Sequence, residues 1–290
     1  MSAKDAVIPF VFESLPVRGA LVQLDSAWQR MQEGHEYAKP IAVVLGHAGA
    51  ATALIAQSLK FDGSVTLQIS SKGPLGMLVM QSTDDLDIRG MATSHDIGES
   101  EDFATLAKGA SCAVTVDAGA MERPYQGIVE ISPDSLAASL ENYFERSVQV
   151  PSHLQLVAGE TFCGGILLQQ MPGEKPATED DWRRLGFLAK TLRVEDLTDG
   201  ATQALLHKLF AEDDVRAFKS RSTRFKCRCS AQKVEEALRM LGETETSEVL
   251  AEQGEVSVKC EYCGRVRSFD AIDVSKLFAT HIVGETKTIH

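Results

Sequence analysis

Four cysteines near the carboxyl end of the chain constrain its structure most. They form two close pairs, Cys227-Arg-Cys229 and Cys260-Glu-Tyr-Cys263, separated by residues 230–259. Two such pairs, brought together by the intervening segment, can surround one ion tetrahedrally, and zinc favours four thiolates in closed structural sites. Polarisable sulfur suits zinc, and the ion lowers the thiol pKa values enough to keep the ligands as thiolates. The pattern therefore predicts a zinc site whose ligands are Cys227, Cys229, Cys260 and Cys263.

The spacing inside each pair also indicates redox chemistry. The C-x-C pair is tighter than the usual pairs of zinc ribbons and can close on itself, and C-x-x-C is the spacing of thiol oxidoreductases. Cations near a thiolate offset its charge and keep it available to oxidants. Basic residues flank both pairs: Arg216, Lys219, Arg221, Arg224, Lys226 and Arg228 at the first, and Lys259, Arg265 and Arg267 at the second.

From the residues alone, three other interpretations of the cysteines stay open. The zinc site could be purely structural, it could belong to a nucleic-acid-binding module, or Cys260 and Cys263 could be a thiol oxidoreductase. A net charge of −12 and few aromatic residues in the basic run argue against nucleic acid as a partner. The sequence lacks a thioredoxin-like βαβ setting, a Walker loop and a dinucleotide fingerprint, which argues against an enzyme.

Composition and patterning place the protein in the cytoplasm. Residues 1–11 lack the apolar core of a signal peptide. The apolar stretch 40–59 is interrupted by Gly46 and His47, so it is expected to be a buried helix and not a membrane span. In a reducing compartment, clustered cysteines more often bind metal or perform redox chemistry than form permanent disulfides. The two remaining cysteines, Cys112 and Cys163, lie in strand-like contexts and are predicted to be buried small hydrophobes.

The fold class predicted from the patterning is α+β. A large mixed N-terminal domain, residues 1–175, groups its strands together and shows no regular βαβ repeat. Helices are expected over 24–37 and 40–60, and a third is expected with Ser132 as its cap. Strands are expected over 65–70, 77–81, 113–116, 127–131 and 165–171, with turns at Gly63, Gly73-Pro74, Gly90 and Gly109.

A helical linker is predicted over residues 176–225. An acidic cluster before Trp182 marks the start of one helix, and a second is expected over 203–210. Both are amphipathic without a partner in their own segment, so their apolar faces should pack on the N-terminal domain. The same residues could equally be the last helices of that domain.

A small C-terminal zinc-binding domain is predicted over residues 226–290. Ser230 is expected to cap a helix that ends at Gly242, and residues 256–258 and 266–269 are expected to pair as a hairpin. A segment this short cannot bury a generous core, so a metal staple is expected to hold it.

The quoted residues and several further motifs resemble one known family. The chain resembles the redox-regulated heat-shock protein 33 family of bacterial chaperones over nearly its whole length. It departs at Glu145-Arg-Ser147-Val-Gln149 and at Ala231-Gln-Lys233, changes that spare the cysteines. Besides the cysteine motifs, the resemblance is carried by Val17-Arg18-Gly19, Ser58-Leu59-Lys60, Leu67-Gln68, Ile88-Arg89-Gly90, Tyr125-Gln126-Gly127-Ile128-Val129, Tyr143-Phe144, Gly164-Gly165, Glu236-Ala-Leu238 and Phe269-Asp270.

The resemblance implies an ATP-independent holdase and not an enzyme. Reduced protein would hold one zinc ion through the four cysteines and be inactive. Oxidation would release the zinc and form two disulfides, Cys227–Cys229 and Cys260–Cys263. The small domain would then unfold, the linker would loosen, and apolar surface would bind unfolding client proteins during oxidative and heat stress. The family also implies that the oxidised, active form is a homodimer.

Overall fold

The computed structural model describes residues 5–59, 62–98, 102–119, 123–173, 176–198 and 202–282. The chain forms two compact units, Met1–Lys226 and Cys227–His290. The helices are α1 (Ser26–Gln32), α2 (Lys39–Ser58), α3 (Phe103–Leu106), α4 (Leu136–Tyr143), α5 (Glu179–Ala189), α6 (Thr202–Leu209), α7 (Ala231–Leu241), α8 (Glu243–Gln253) and α9 (Ala271–Ile282).

The strands, like the helices, are numbered in chain order. A π-helical turn, Phe144–Val148, follows α4, and a short 3-10 helix, Val194–Leu197, follows α5. The strands are β1 (Ala6–Phe12), β2 (Val17–Leu24), β3 (Ser64–Ser70), β4 (Met77–Thr83), β5 (Asp87–Thr93), β6 (Ser111–Asp117), β7 (Tyr125–Val129), β8 (Ser152–Ala158), β9 (Cys163–Gln170), β10 (Val215–Ala217), β11 (Arg221–Ser222), β12 (Arg224–Phe225), β13 (Val256–Lys259) and β14 (Val266–Phe269).

The first unit contains two sheets. One has the order β10-β1-β2-β9-β8, with β11 also paired to β1, and the other has the order β12-β5-β4-β3-β6-β7. Every pair is antiparallel except β12 with β5, which is parallel. Sheets grouped apart from helices confirm the predicted α+β class.

Helix α2 contacts strands of both sheets and forms the centre of the main core. Its side chains are apolar on nearly all sides, which is typical of a helix that other elements cover on several sides. Of the described helices, it is the one long and apolar enough to cross a membrane, but 72% of its most apolar window is buried inside the protein. The buried helix expected over 40–60 is therefore confirmed.

The close approach of α2 to the first sheet depends on a glycine. A Cβ atom built on Gly46 would lie 2.6 Å from Ala158 Cβ and 3.2 Å from Cys163 Cβ. We therefore expect Gly46→Val to destabilise the first unit by about 1–3 kcal/mol through overpacking. Denaturant unfolding measures the change. Gly173→Val is the control, since nothing lies within 4 Å of that position; equal unfolding midpoints for the two variants would contradict this account.

The opposite face of the first sheet carries a second apolar cluster, which holds α5 and α6. Successive strand residues point to opposite faces, so Val7 joins the main core and Phe10 joins this second cluster. There Leu185 and Leu205, from the two helices, pack with the strand residues, and Phe210 is 1% exposed. The expectation that the helices after residue 176 cover their apolar faces with the first domain is confirmed.

The second unit has a much smaller core. Within its described residues, four hydrophobic side chains are buried: Leu238, Val256, Val274 and Leu277. The predicted helix does begin at a Ser230 cap, whose hydroxyl accepts a hydrogen bond from Lys233 N, and it ends at Gly242. The predicted hairpin is confirmed as β13 paired with β14. Helices α8 and α9 were not predicted.

Some local predictions for the first unit are wrong. The helix expected over 24–37 is α1 alone, because Leu24 belongs to β2 and the backbone of Gly34 is left-handed (φ 76°). The cap of α4 is Ser135 and not Ser132, since the Ser135 hydroxyl accepts a hydrogen bond from Ala138 N. Gly90 lies inside β5 and not in a turn. The end of the Met80 side chain occupies the space where a Cβ of residue 90 would be, so a larger residue there would require Met80 to move.

Candidate metal centre

The four predicted ligands come together in the second unit. The sulfur atoms of Cys227, Cys229, Cys260 and Cys263 all lie within 4.8 Å of one another. Cys227 Sγ is 3.6 Å from Cys260 Sγ, and Cys229 Sγ is 3.6 Å from Cys263 Sγ. Four sulfurs at 2.3 Å from one zinc ion would be about 3.8 Å apart. The cluster therefore has the size and the chemistry of a four-thiolate metal site.

The turn of the C-terminal hairpin positions Cys260 and Cys263. Cys260 N donates to Arg265 O at 2.9 Å, and Gly264 N donates to Cys260 O at 2.9 Å, which folds the loop back on itself. Gly264 has a left-handed backbone (φ 65°), which glycine adopts at no steric cost. The C-x-x-C pair is thus held on a tight turn between β13 and β14.

The first pair lies at the start of the second unit. Cys229 N donates to Cys227 Sγ at 3.4 Å, so the two residues curl around one sulfur atom. The cap of α7, Ser230, follows at once and fixes the direction in which the chain leaves the site.

Burial and hydrogen bonds give the thiols of Cys227, Cys260 and Cys263 unequal acidities. Burial, together with neighbouring thiols, raises the pKa of the Cys227 thiol to about 12. Burial also raises the pKa of the Cys263 thiol. At Cys260 burial acts in the same direction, but hydrogen bonds from the backbone N–H groups of Tyr262 and Cys263 hold the pKa below its ordinary value. A bound cation would favour the thiolate form of every ligand.

Half of the basic run before the site pairs with carboxylates of the first unit. Arg224 Nε and Lys226 Nζ lie 2.5 Å and 2.6 Å from the two carboxylate oxygens of Asp87. These hydrogen bonds outweigh the effect of burial and lower the pKa of Asp87. Arg216 pairs with Glu13. Arg216, Arg224 and Lys226 therefore each have a carboxylate partner in the first unit, and the expectation that the basic run offsets thiolate charge stays a prediction.

The other two cysteines lie outside the site, in the first unit. Cys112 is 1% exposed and Cys163 is 0% exposed, which confirms that both are buried. Burial raises the pKa of Cys112 to about 12. Burial, with the charge of Asp5, raises the pKa of Cys163 well above its ordinary value. Neither residue is a ready thiolate, so both are poor targets for oxidants.

Two residues that shape this region were not found from the sequence. Gly264 follows the C-x-x-C pair directly, and a glycine at that place could have been interpreted as the end of a turn. Asp87 carries no local signal, because its cationic partners lie more than a hundred residues further along the chain.

Comparison with known proteins places the chain in a family. The sequence model described as "Hsp33 protein" matches residues 5–270. The 33 kDa chaperonin of Methylobacillus flagellatus is 37% identical over 285 residues, covering 98% of this chain and 97% of the relative. The 33 kDa chaperonin of Escherichia coli is 35% identical over 282 residues, covering 96% of each.

A solved structure has the same fold. The crystal structure of the 33 kDa chaperonin of Thermotoga maritima superimposes with a TM-score of 0.79 and 23% sequence identity, covering 96% of this chain and 99% of that chain. The family consists of chaperones and not enzymes, so the oxidoreductase interpretation is set aside. The resemblance carried by the cysteine motifs and the core motifs is therefore confirmed, and the chain belongs to the Hsp33 family of chaperones.

Proposed function

We propose that this chaperone is an ATP-independent holdase switched by oxidation of a zinc site at Cys227, Cys229, Cys260 and Cys263. The observation that carries the proposal is a four-sulfur cluster in a unit with only four buried hydrophobic side chains among its described residues. Zinc binding contributes about 10–16 kcal/mol in small zinc peptides. So small a core contributes little to the stability of the folded unit. The unit is therefore folded when its cysteines hold the metal and unfolded when they do not.

Oxidation removes the ligands. Two thiolates lose two electrons to form one disulfide, and those electrons, together with two protons from the solvent, reduce one hydrogen peroxide molecule to two water molecules. Two peroxides per chain therefore convert four thiols into two disulfides. A disulfide sulfur is neutral and no longer a thiolate ligand, so the site loses its affinity for a dication.

We propose the pairing Cys227–Cys229 and Cys260–Cys263. The resemblance to the family supports it, and each pair is joined by a short stretch of chain, so it can still meet after the unit unfolds. The shortest sulfur distances, Cys227 to Cys260 and Cys229 to Cys263, run across the pairs. In a tetrahedral cluster every sulfur is near every other, so these distances do not select a pairing. Peptide mapping of the oxidised protein would identify the bonds.

Residues 176–225 are proposed to act as the linker that carries the signal. Helices α5 and α6 bury their apolar faces on the first sheet, and release would expose both that face and their own. Exposed apolar surface captures unfolding chains without ATP. We further propose that the oxidised form is a homodimer, that clients and not nucleic acid or membranes are the partners, and that the protein works in the reducing cytoplasm.

The deciding experiment measures zinc and free thiols on the same samples, before and after peroxide or hypochlorite. We expect about one zinc ion per chain in reduced protein, and its release in step with the loss of four thiols. Light scattering of an aggregating client should fall with oxidised protein and change little with reduced protein. If the free thiols were lost while a zinc-sensitive dye showed no released zinc, the proposed coupling between thiol oxidation and zinc release would be wrong.

A further inference from the structure

Residues 214–226, called the edge segment below, lie along an outer edge of each sheet in the first unit. Its first two strands, β10 and β11, pair with β1 of one sheet, and its third, β12, pairs with β5 of the other. The next residue in the chain is Cys227, a predicted metal ligand. The edge segment is therefore the part of the first unit most directly tied to the metal centre.

Along β1 the edge segment pairs with both ends of the strand, residues 6–7 and 10–12. Glu13 N donates to Asp214 O at 2.9 Å, Phe218 N donates to Pro9 O at 2.8 Å, and Thr223 N donates to Asp5 O at 3.0 Å. Pro9 has no N–H to give, so β10 and β11 are separate strands with a break opposite it. Without the edge segment, β1 would present a row of open backbone groups, which recruits extended chains.

Along β5 the edge segment makes contacts through its side chains as well as through its backbone. Arg224 N donates to Leu86 O at 3.4 Å, and Lys226 N donates to Ile88 O at 3.0 Å. Between them Phe225 packs against the main core. The side chains of Arg224 and Lys226 meet the Asp87 carboxylate, which is 8% exposed. The site thus accepts an extended basic–aromatic–basic stretch.

The attachment of the edge segment is weak. Strand β12 pairs through two residues, and the side chains of Arg224 and Lys226 are 68% and 55% exposed. Ion pairs with one exposed partner contribute little and are screened by salt. Helices α5 and α6, by contrast, fill a buried apolar cluster. The edge segment contributes three side chains to the two clusters, Val215, Ala217 and Phe225, and all three are only partly buried. Local opening is easiest where few apolar groups are buried, so the edge segment should detach before α5 and α6 when the adjoining unit unfolds.

We propose that the edge segment occupies the client-binding sites of the inactive protein. When the edge segment detaches, the exposed edges of β1 and β5 bind an extended stretch of client in its place. The inference rests on the proposed function and names the client: an extended stretch of unfolded chain with basic residues on either side of a bulky apolar one. Unfolded chains have free backbone donors and acceptors, and strand addition to an open sheet edge satisfies them. Asp87 then selects for basic flanks, and the net charge of −12 favours the approach of such segments.

A labelled peptide with the sequence of residues 214–226 tests this, using the full-length protein. Fluorescence anisotropy should show binding to oxidised protein and little to reduced, zinc-loaded protein, where the edges are occupied. The matched control peptide carries Glu in place of Arg224 and Lys226. Loss of two partly exposed ion pairs should weaken binding by about tenfold. In the light-scattering assay, unlabelled peptide should compete with client, and the control peptide should not.

The outcomes separate the inference from the proposed function. Oxidised protein that suppresses aggregation but binds the two peptides equally, or neither, overturns the inference and leaves the holdase intact. Oxidised protein that fails to suppress aggregation overturns the proposed function itself. Peptide that splits a dimer without displacing client would make the edges a self-association surface, which also overturns the inference. An Asp87→Asn variant, checked by near-UV circular dichroism for native packing, should bind the natural peptide several-fold less tightly.

Discussion

Replacing Cys260 by serine is expected to unfold the second unit while the first stays folded. Cys260 Sγ lies 3.6 Å from Cys227 Sγ, and a hydroxyl in its place is a poor ligand for zinc. Losing most of the about 10–16 kcal/mol that such a site contributes should leave a core of four buried side chains unable to hold residues 227–282. Hydrogen exchange should lose protection throughout those residues, and zinc content should fall well below one per chain.

The matched control is Cys112→Ala, which also removes one thiol. Cys112 is buried in β6 of the first unit and is not a member of the four-sulfur cluster. This variant should keep its zinc and the exchange protection of residues 227–282, and lose some stability in the first unit. A Cys260→Ser protein that kept full zinc and unchanged protection would show that the cluster is not the metal site. Chelating the metal from unmutated protein should reproduce the serine variant.

The four-cysteine cluster was predictable from sequence because the information that specifies it is local. In a C-x-C pair, as in a C-x-x-C pair, the two sulfurs are close together because the residues are close in sequence. The fold then only has to bring the first pair next to the second. The strands β3, β4, β6, β7 and β9 were predicted for a similar reason, since alternation shows within a few residues. The hairpin of β13 and β14 was predicted in the same way.

The features that the sequence did not predict depend on contacts between residues that are far apart in the chain. Strand β1 has Pro9 at its centre, and a central proline argues against a strand because it cannot donate a backbone hydrogen bond. In the fold Pro9 lies where the pairing of β1 with the edge segment is interrupted, so no hydrogen bond from its nitrogen is required there. The start of α1 is held by Asp5, whose carboxylate accepts hydrogen bonds from the backbone N–H groups of Asp25, Ser26 and Ala27. Asp87 likewise finds its cations across the fold. No window of sequence contains both partners of these contacts.

Replacing Phe210 by alanine is expected to activate the chaperone without oxidation. Phe210 is 1% exposed, and its ring lies 5.0 Å from that of Phe12 and 6.0 Å from that of Phe10 on the first sheet. Truncating a buried phenylalanine costs about 3–5 kcal/mol. Because that loss weakens the attachment of α6, amide exchange in α6 should speed up by roughly a hundredfold to a few thousandfold. Reduced protein should then suppress client aggregation.

The control for this prediction is Phe187→Ala, on the neighbouring helix α5. Phe187 is 65% exposed, so its removal should change stability by no more than about 0.5 kcal/mol and leave reduced protein inactive. Zinc content should stay the same in both variants, because neither residue belongs to the second unit. This separates release of the linker from loss of the metal. If the Phe210 variant loosened α6 but stayed inactive with zinc bound, linker release alone would not expose the client-binding surface. Control would then require the unfolding of the second unit itself.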